Sequence, residues 1–96
     1  MDNQVYMNTL YDYYGTLLTE KQQLYFEDYY LNNLTLAEIS ENYQISRNAV
    51  HKQLKEAEAK LEYYEEKLNL FQKYQEICRL LSGFDDKIKE RIKELV

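Results

Sequence analysis

The feature that most restricts the fold of this chain is its lack of turn-forming residues. It has no proline and only two glycines, Gly15 and Gly83, in 96 residues. Glycine and proline supply many of the backbone conformations that tight turns need, and both interrupt helices. A chain with so few of them has little means of joining short strands, whereas its other residues tolerate helical backbone. The sequence therefore predicts an all-α fold and argues against an all-β or a doubly wound α/β fold.

Reactive side chains are also few. A single cysteine, Cys78, excludes an intrachain disulfide, and one cysteine with one histidine, His51, cannot form a Cys/His zinc site. We find no paired nucleophile and base, no cluster of metal ligands and no glycine-rich phosphate loop. The sequence predicts a protein that is not an enzyme, with no catalytic residue, no metal site and no cofactor.

The hydropathy of the chain bears on its location. No segment approaches the roughly 18 consecutive apolar residues of a membrane-spanning helix. The first residues, Met1 to Gln4, lack the charged and then apolar pattern of a signal peptide. We therefore expect a cytoplasmic protein without a membrane span.

Three helices are predicted in the first half of the chain. From Val5 to Leu18 the apolar residues recur at spacings of three and four, which is the period of a helix, and Gly15 should weaken its end. Thr19 and Thr35 each begin a capping box, because a glutamine or a glutamate follows three residues later. A second and a third helix should therefore start after these threonines.

The same period assigns an inner face to each helix. The second helix should end at Asn32–Asn33, because asparagine tolerates left-handed backbone, and the third near Tyr43. The predicted inner-face residues are Met7, Leu10, Tyr11, Tyr14, Leu17 and Leu18 in the first helix, Gln22, Tyr25, Phe26 and Tyr29 in the second, and Leu36, Ile39, Ser40 and Tyr43 in the third. The tyrosines outside these faces, and hence the candidates for a partner surface, are Tyr13, Tyr30 and Tyr63. Stacking on unpaired bases is the alternative role for the tyrosines, and we favour packing in the core.

The segment from Thr35 to Lys55 has the pattern of a helix-turn-helix. Ile39, Ile45 and Val50 can fill the angle between two helices, and Ser46 can cap the second one. The polar residues predicted on the exposed face of that helix, and hence the candidate nucleic-acid-binding residues, are Arg47, Asn48, His51, Lys52 and Lys55. Arginine can read guanine, asparagine can read adenine and lysine can hold phosphate. Positions 45 to 55 contain no acidic residue.

The helix that starts at Arg47 has no clear end for more than thirty residues. It carries a heptad seam typical of a coiled coil, formed by Val50, Leu54, Ala57, Leu61, Tyr64, Leu68 and Phe71. The apolar stripe then shifts register, which indicates either a bend near Asn69 or the normal drift of a straight helix. Beyond Ser82–Gly83, Asp85–Asp86 begins a short amphipathic C-terminal helix.

This organisation predicts two parts of the chain. Residues 1–56 should form a small helical bundle with the helix-turn-helix at residues 35–55, and residues 57–96 should hold the continuation of the long helix and the C-terminal helix. A helix that leaves the bundle would expose its apolar seam to water. We therefore expect residues 57–96 to form a homodimer or to fold back along the seam.

The chain also resembles a known family. Residues 17–68, together with Leu10–Tyr14, resemble the YlxM family of small bacterial helix-turn-helix proteins, and Leu18–Leu54 is more distantly similar to the promoter-reading domain of bacterial sigma factors. The resemblance implies a regulator in the signal recognition particle pathway, because the genes of the family commonly lie beside those for the particle's protein and its receptor. One position departs from the usual motif: Gln44 stands in the turn where glycine is common, and left-handed backbone costs it more.

Two functions are consistent with these features. The leading interpretation is a regulatory protein that binds DNA through the second helix of the motif, as a homodimer that reads two half-sites. RNA of the particle is a further candidate, although a helix does not fit the narrow major groove of an A-form duplex. The alternative is an adaptor that binds a protein or RNA component of the pathway, with the motif as a scaffold. The net charge of −5 favours this alternative.

Overall fold

The structure is a computed structural model that describes residues 3–95. These residues form six α-helices and no strand, which confirms the predicted all-α fold. The helices are α1 (Asn3–Tyr14), α2 (Glu20–Phe26), α3 (Leu36–Tyr43), α4 (Arg47–Leu68), α5 (Leu70–Leu80) and α6 (Asp86–Glu94). No helix within the described residues is long and apolar enough to cross a membrane.

The end of α1 is set by Gly15. A short 3₁₀ turn, Gly15–Leu17, follows α1, so the first helix stops near the glycine as predicted. A Cβ atom at Gly15 would lie 2.8 Å from the Tyr11 ring, so a larger residue would have to displace that ring. Leu18 is buried, but Leu17 is 52% exposed. The assignment of Leu17 to the inner face is therefore wrong, because the tighter turn ends the α-helical period before it.

Both predicted capping boxes are present. The Thr19 hydroxyl accepts a hydrogen bond from the Gln22 amide, and the Gln22 side chain accepts one from the Thr19 amide, each at 3.2 Å. The equivalent bonds between Thr35 and Glu38 measure 3.1 and 3.0 Å. Asn33, in the loop before α3, has the predicted left-handed backbone, with φ of 57°. Local sequence signals thus set the starts of α2 and α3.

The helix that begins with α2 ends in a widened turn. Glu27–Leu31 form a π-helical turn, which an i→i+5 backbone hydrogen bond of 2.9 Å closes. Such a turn holds about one residue more than an α-helical turn, so each later side chain reaches a given face one position later. Tyr30 is consequently buried and stacks on Phe26, with ring centroids 4.4 Å apart, while Tyr29 is 40% exposed. The assignments of Tyr29 to the inner face and of Tyr30 to a partner surface are therefore wrong.

Helix α4 is the central element of the core. Its buried side chains pack against α1, α2 and α3, so the first half of the heptad seam belongs to the bundle. The core residues are Met7, Leu10, Tyr14, Leu18, Tyr25, Phe26, Tyr30, Ile39, Val50, Leu54, Ala57 and Leu61. The expectation that the long helix leaves the bundle is wrong for this half, because the three preceding helices cover its apolar face. Further along the seam, Tyr64 is half-buried and Leu68 is exposed.

A bend separates α4 from α5. Asn69 has left-handed backbone, with φ of 57° and ψ of 31°, so the bend is the correct explanation of the register shift. Helix α5 then brings Phe71 back to the bundle, where its ring centroid lies 6.1 Å from that of Tyr6 and 6.2 Å from that of Tyr13. The end of the seam therefore folds against α1 within one chain.

The last two helices are amphipathic. The Asp85 carboxylate caps α6 by accepting a hydrogen bond from the Lys87 amide at 2.7 Å. Within the described residues, neither α5 nor α6 contributes a buried side chain. The exposed apolar residues of this region are Leu70, Leu80, Phe84, Ile88 and Leu95. Helix α4 runs through the predicted boundary between residues 56 and 57, and that division stays a prediction.

Candidate nucleic-acid interface

The turn between α3 and α4 has helix-turn-helix geometry. Gln44 takes the left-handed backbone that glycine usually supplies, with φ of 54° and ψ of 46°. The Ile45 amide donates to the Ser40 carbonyl at 3.0 Å, and the Ile45 side chain packs on the core. The Ser46 hydroxyl accepts a hydrogen bond from the Ala49 amide at 3.0 Å, which caps α4 as predicted. The turn thus fixes the direction in which α4 starts.

Contacts with the second helix hold α3 in place. The Tyr43 hydroxyl donates to the Asp28 carboxylate at 2.9 Å, and the Tyr43 ring meets that of Tyr25 edge-on, with centroids 5.1 Å apart. The hydrogen bond to Asp28, followed by burial, raises the pKa of Tyr43 above its ordinary value. Tyr43 is 36% exposed and lies at the rim of the core. Its assignment to the inner face is wrong, because its hydroxyl reaches outward while its ring covers Tyr25.

All five predicted nucleic-acid-binding residues are exposed near the start of α4. They are Arg47, Asn48, His51, Lys52 and Lys55. Their spacing of one, three and four residues places them on one side of the helix over its first three turns. Another side of the helix carries the buried core residues Val50 and Leu54. The structure therefore brings the five side chains together on one surface, and their role in binding stays a prediction.

The basic side chains on this surface are available to a ligand. The Lys55 ammonium lies 3.4 Å from the Glu58 carboxylate, with the lysine side chain 63% exposed. An exposed ion pair of this kind contributes only about 0 to 1 kcal/mol, so a phosphate can replace it at little cost. Within residues 3–95, neither Arg47 nor Lys52 forms an ion pair. Arg47 also lies at the positive end of the α4 dipole, which favours an anion there.

Sequence reasoning missed an aromatic cleft beside this surface. A cleft of about 190 Å³ is lined by His51 and Lys55 of α4 and by Tyr29. A second cleft of about 470 Å³ extends to Asn33, in the loop before α3. The residues that line both are Asn3, Tyr29 and Tyr30. Spacing alone does not reveal this cleft, because Tyr29 and Tyr30 both lie four residues after an inner-face residue and the π-helical turn decides which of them faces outward.

Two further observations concern possible chemistry at or near this surface. In the part of the chain that the structure describes, no three His, Cys, Asp or Glu side chains are grouped so that they could hold a metal ion. Burial, followed by the Coulombic effect and hydrogen bond of Glu58, raises the pKa of Tyr30. The phenol is therefore neutral at physiological pH, as a packed tyrosine should be.

Comparison with known proteins identifies the same motif. The model of the UPF0122 family, described as "Putative helix-turn-helix protein, YlxM / p13 like", matches residues 1–95. A UPF0122 protein of Thermoanaerobacter sp. (strain X514) is 52% identical over 91 residues, which cover 95% of this chain and 74% of that protein. A UPF0122 protein of Anoxybacillus flavithermus is 51% identical over 85 residues, which cover 88% of this chain and 77% of that protein. A UPF0122 protein of Geobacillus sp. (strain WCH70) is 43% identical over 94 residues, which cover 98% of this chain and 86% of that protein. The chain therefore belongs to the UPF0122 family of YlxM/p13-like helix-turn-helix proteins.

Proposed function

We propose that this protein is a regulatory protein of the signal recognition particle pathway that binds DNA through the start of α4. The observation that carries the proposal is the exposed surface of Arg47, Asn48, His51, Lys52 and Lys55 on a capped second helix. Membership of a helix-turn-helix family supports nucleic-acid binding. The pathway comes from the resemblance to the YlxM family. The proposal includes a cytoplasmic location, where the protein would meet such a nucleic-acid target.

Each residue of this surface has a role that follows from its chemistry. Arg47, at the first position of α4, can donate two hydrogen bonds to one guanine in the major groove, and Asn48 can pair with adenine. Lys52 and Lys55, one and two turns further along the helix, can hold phosphates on the edge of the groove. His51 lies between Asn48 and Lys52 along the helix and can contact either a base edge or a phosphate.

The proposal includes a homodimer that reads two half-sites about 34 to 36 Å apart. The exposed apolar side chains of α5 and α6 support it, because burial of such side chains against a second copy removes apolar area from water. Sedimentation at micromolar concentration tests this part. We expect a species of twice 11.7 kDa. A monomer whose stability does not depend on α6 would contradict the dimer.

The adaptor is the second candidate. The net charge of −5 and the same apolar surface on α5 and α6 favour it. In this function the protein binds a protein or RNA component of the particle pathway, and the helix-turn-helix serves as a scaffold. Binding through an apolar surface depends little on salt, whereas binding to phosphates weakens steeply as salt rises.

Titration of the purified protein with duplex DNA of random sequence, at two salt concentrations, tests the proposal. The logarithm of the binding constant should fall with the logarithm of salt by about 0.9 for each phosphate contacted. The variant Lys52→Ala/Lys55→Ala should reduce this slope by about 1.8 for each protomer bound. The control Lys73→Ala/Lys87→Ala removes the same charge from α5 and α6 and should leave the slope unchanged.

The same preparation decides between the two candidates. The particle's RNA and protein are titrated in parallel with the duplex. Absence of any DNA complex at low salt, together with binding to the RNA or the protein, contradicts the DNA-binding function and supports the adaptor.

A further inference from the structure

The aromatic cleft next to the candidate interface has no role in the function proposed so far. It consists of two neighbouring clefts that share Asn3, Tyr29 and Tyr30. The smaller part, about 190 Å³, is lined by His51 and Lys55 of the interface, and the larger part, about 470 Å³, reaches Asn33. The larger part alone falls within the range of roughly 300 to 1,000 Å³ that is typical of ligand pockets. The cleft therefore has room for a small planar group beside a surface that we propose binds nucleic acid.

The ring of Tyr29 is held in this cleft by the π-helical turn. It meets the Tyr30 ring at 75°, with centroids 5.0 Å apart, and Tyr30 itself stacks on the buried Phe26. Because a packed ring supports it, Tyr29 loses little side-chain freedom when a ligand binds to it. Turns of this kind are rare within helices and occur frequently at functional sites. Tyr29 is thus a partly exposed aromatic surface with a fixed position.

Polar groups around the ring suit an uncharged ligand with a hydrogen-bonding edge. The Glu58 side chain lines the smaller part of the cleft and is 17% exposed, and its carboxylate accepts a hydrogen bond from Lys55. A carboxylate has about four acceptor sites, so it can also accept from an amino group. Asn33 can donate and accept at the larger part.

We propose that this cleft receives the base of one unpaired nucleotide, which stacks on Tyr29 and donates from its amino group to Glu58. His51 and Lys55 then lie beside the phosphate of that nucleotide. The inference rests on the proposed function, because α4 must first engage the nucleic acid. A paired base is covered on both faces by its neighbours, so the target carries a bulge or another interruption.

The hydrogen bond to Glu58 also predicts a preference among bases. Adenine and cytosine present an amino group that can donate to the carboxylate, whereas uracil and thymine present an acceptor at the same position. An unpaired adenosine should therefore bind better than an unpaired uridine or thymidine.

Fluorescence anisotropy with the full chain tests this proposal. The probes are a labelled, fully paired duplex and the same duplex with one unpaired adenosine, each made as DNA and as RNA. The protein should bind the interrupted duplex more tightly by roughly 5- to 150-fold, which is the range for one base stacked on an aromatic side chain. The DNA and RNA probes decide which kind of strand supplies the base.

Three variants locate the effect. Tyr29→Ala should bind the interrupted probe no better than the paired one, and Tyr29→Phe should keep the preference because it keeps the ring. Leu24→Ala is the control, because it removes another exposed apolar side chain, 44% exposed, from α2 and lies outside the lining of the cleft. Circular dichroism checks that Tyr29→Ala is folded. An unpaired uridine tests the contact with Glu58 in the wild-type protein. It should lower the preference without removing it, because uridine can still stack on Tyr29 but presents an acceptor in place of the amino group.

The outcomes separate this inference from the function on which it rests. Equal affinity of the wild-type protein for paired and interrupted duplexes overturns the cleft as a base-binding site and leaves DNA binding by α4 in place. A preference that persists in Tyr29→Ala, or that is the same for adenosine and uridine, also overturns it. Absence of binding to every probe overturns the inference together with the proposed function.

Discussion

The hydroxyl of Tyr14 donates a hydrogen bond of 2.6 Å to Glu65, and both side chains are buried. The Glu65 carboxylate also accepts hydrogen bonds from two backbone amides in the first turn of α5, and the Tyr14 oxygen accepts one from a third, each at 3.1 Å. The side chain of Asn69 makes no cap hydrogen bond at this end of α5. The pair from α1 and α4 therefore satisfies the free amides of α5 and holds the bend.

Removal of the Tyr14 hydroxyl should destabilise the fold. We expect Tyr14→Phe to lower the free energy of unfolding by about 1 to 3 kcal/mol, because a buried carboxylate and a backbone amide each lose a partner. Urea denaturation followed by circular dichroism measures this change. Tyr63→Phe removes a hydroxyl from an exposed ring and should change stability by less than about 0.5 kcal/mol. Equal stability of Tyr14→Phe and the wild type would show that the hydroxyl does not hold the bend.

The stability of the protein should fall at alkaline pH. Burial, followed by the hydrogen bond to Glu65, raises the pKa of Tyr14 to about 12, and burial, followed by the hydrogen bond to Glu27, raises the pKa of Tyr11 to about 12. An unfolded tyrosine has a pKa near 10, so the native state keeps protons that the unfolded chain releases.

The sign of the pH dependence follows from these raised pKa values. The stabilisation by each tyrosine is complete below about pH 10 and is lost as the pH rises through about 12. Urea midpoints measured from pH 9 upward should therefore fall. The decline should be shallower in Tyr14→Phe, because of the two tyrosines this variant keeps only Tyr11. An identical decline in both proteins would contradict the raised pKa of Tyr14.

The turn of the helix-turn-helix stores a small strain that glycine should relieve. Left-handed backbone at Gln44 costs a residue with a side chain about 1 to 2 kcal/mol. Glycine removes this cost in the folded state, but it also makes the unfolded chain more flexible, which offsets part of the stabilisation. We expect Gln44→Gly to raise the free energy of unfolding by up to about 1 kcal/mol. Glu56→Gly, at an exposed helical position of α4, should instead lower it by about 1 kcal/mol. Destabilisation by Gln44→Gly would mean that the glutamine side chain makes a stabilising contribution to the turn.

The predictions from sequence succeeded where the structure depends on neighbouring residues. The hydroxyls of Thr19, Thr35 and Ser46 each bond within one turn of their own helix, so residue type and spacing are enough to place the helix starts. The position of the five exposed residues on α4 follows from the Ser46 cap and the helical period. Their predicted exposure therefore needed no knowledge of the tertiary fold.

The errors arose where distant contacts or an irregular turn decide the outcome. The heptad seam of α4 looks the same whether a second chain or the bundle covers it, and α1 to α3 cover its first half. Tyr29 and Tyr30 lie at helical spacings from Tyr25 and Phe26, so the period allows either ring to face inward, and the structure buries Tyr30 within a π-helical turn that spacing does not reveal. The aromatic cleft depends on that turn, so it could not be predicted from spacing.

Arg47 provides the most specific test of the interface. Arg47→Ala should weaken binding to a DNA site selected from a random pool by about 1 to 3 kcal/mol, because a bidentate contact with guanine is lost. It should weaken binding to random duplex much less. Lys67→Ala removes the same charge from the last turn of α4, roughly 30 Å away along the helix, and controls for the change in net charge. Equal weakening of selected and random duplexes by Arg47→Ala would mean that Arg47 holds a phosphate and reads no base.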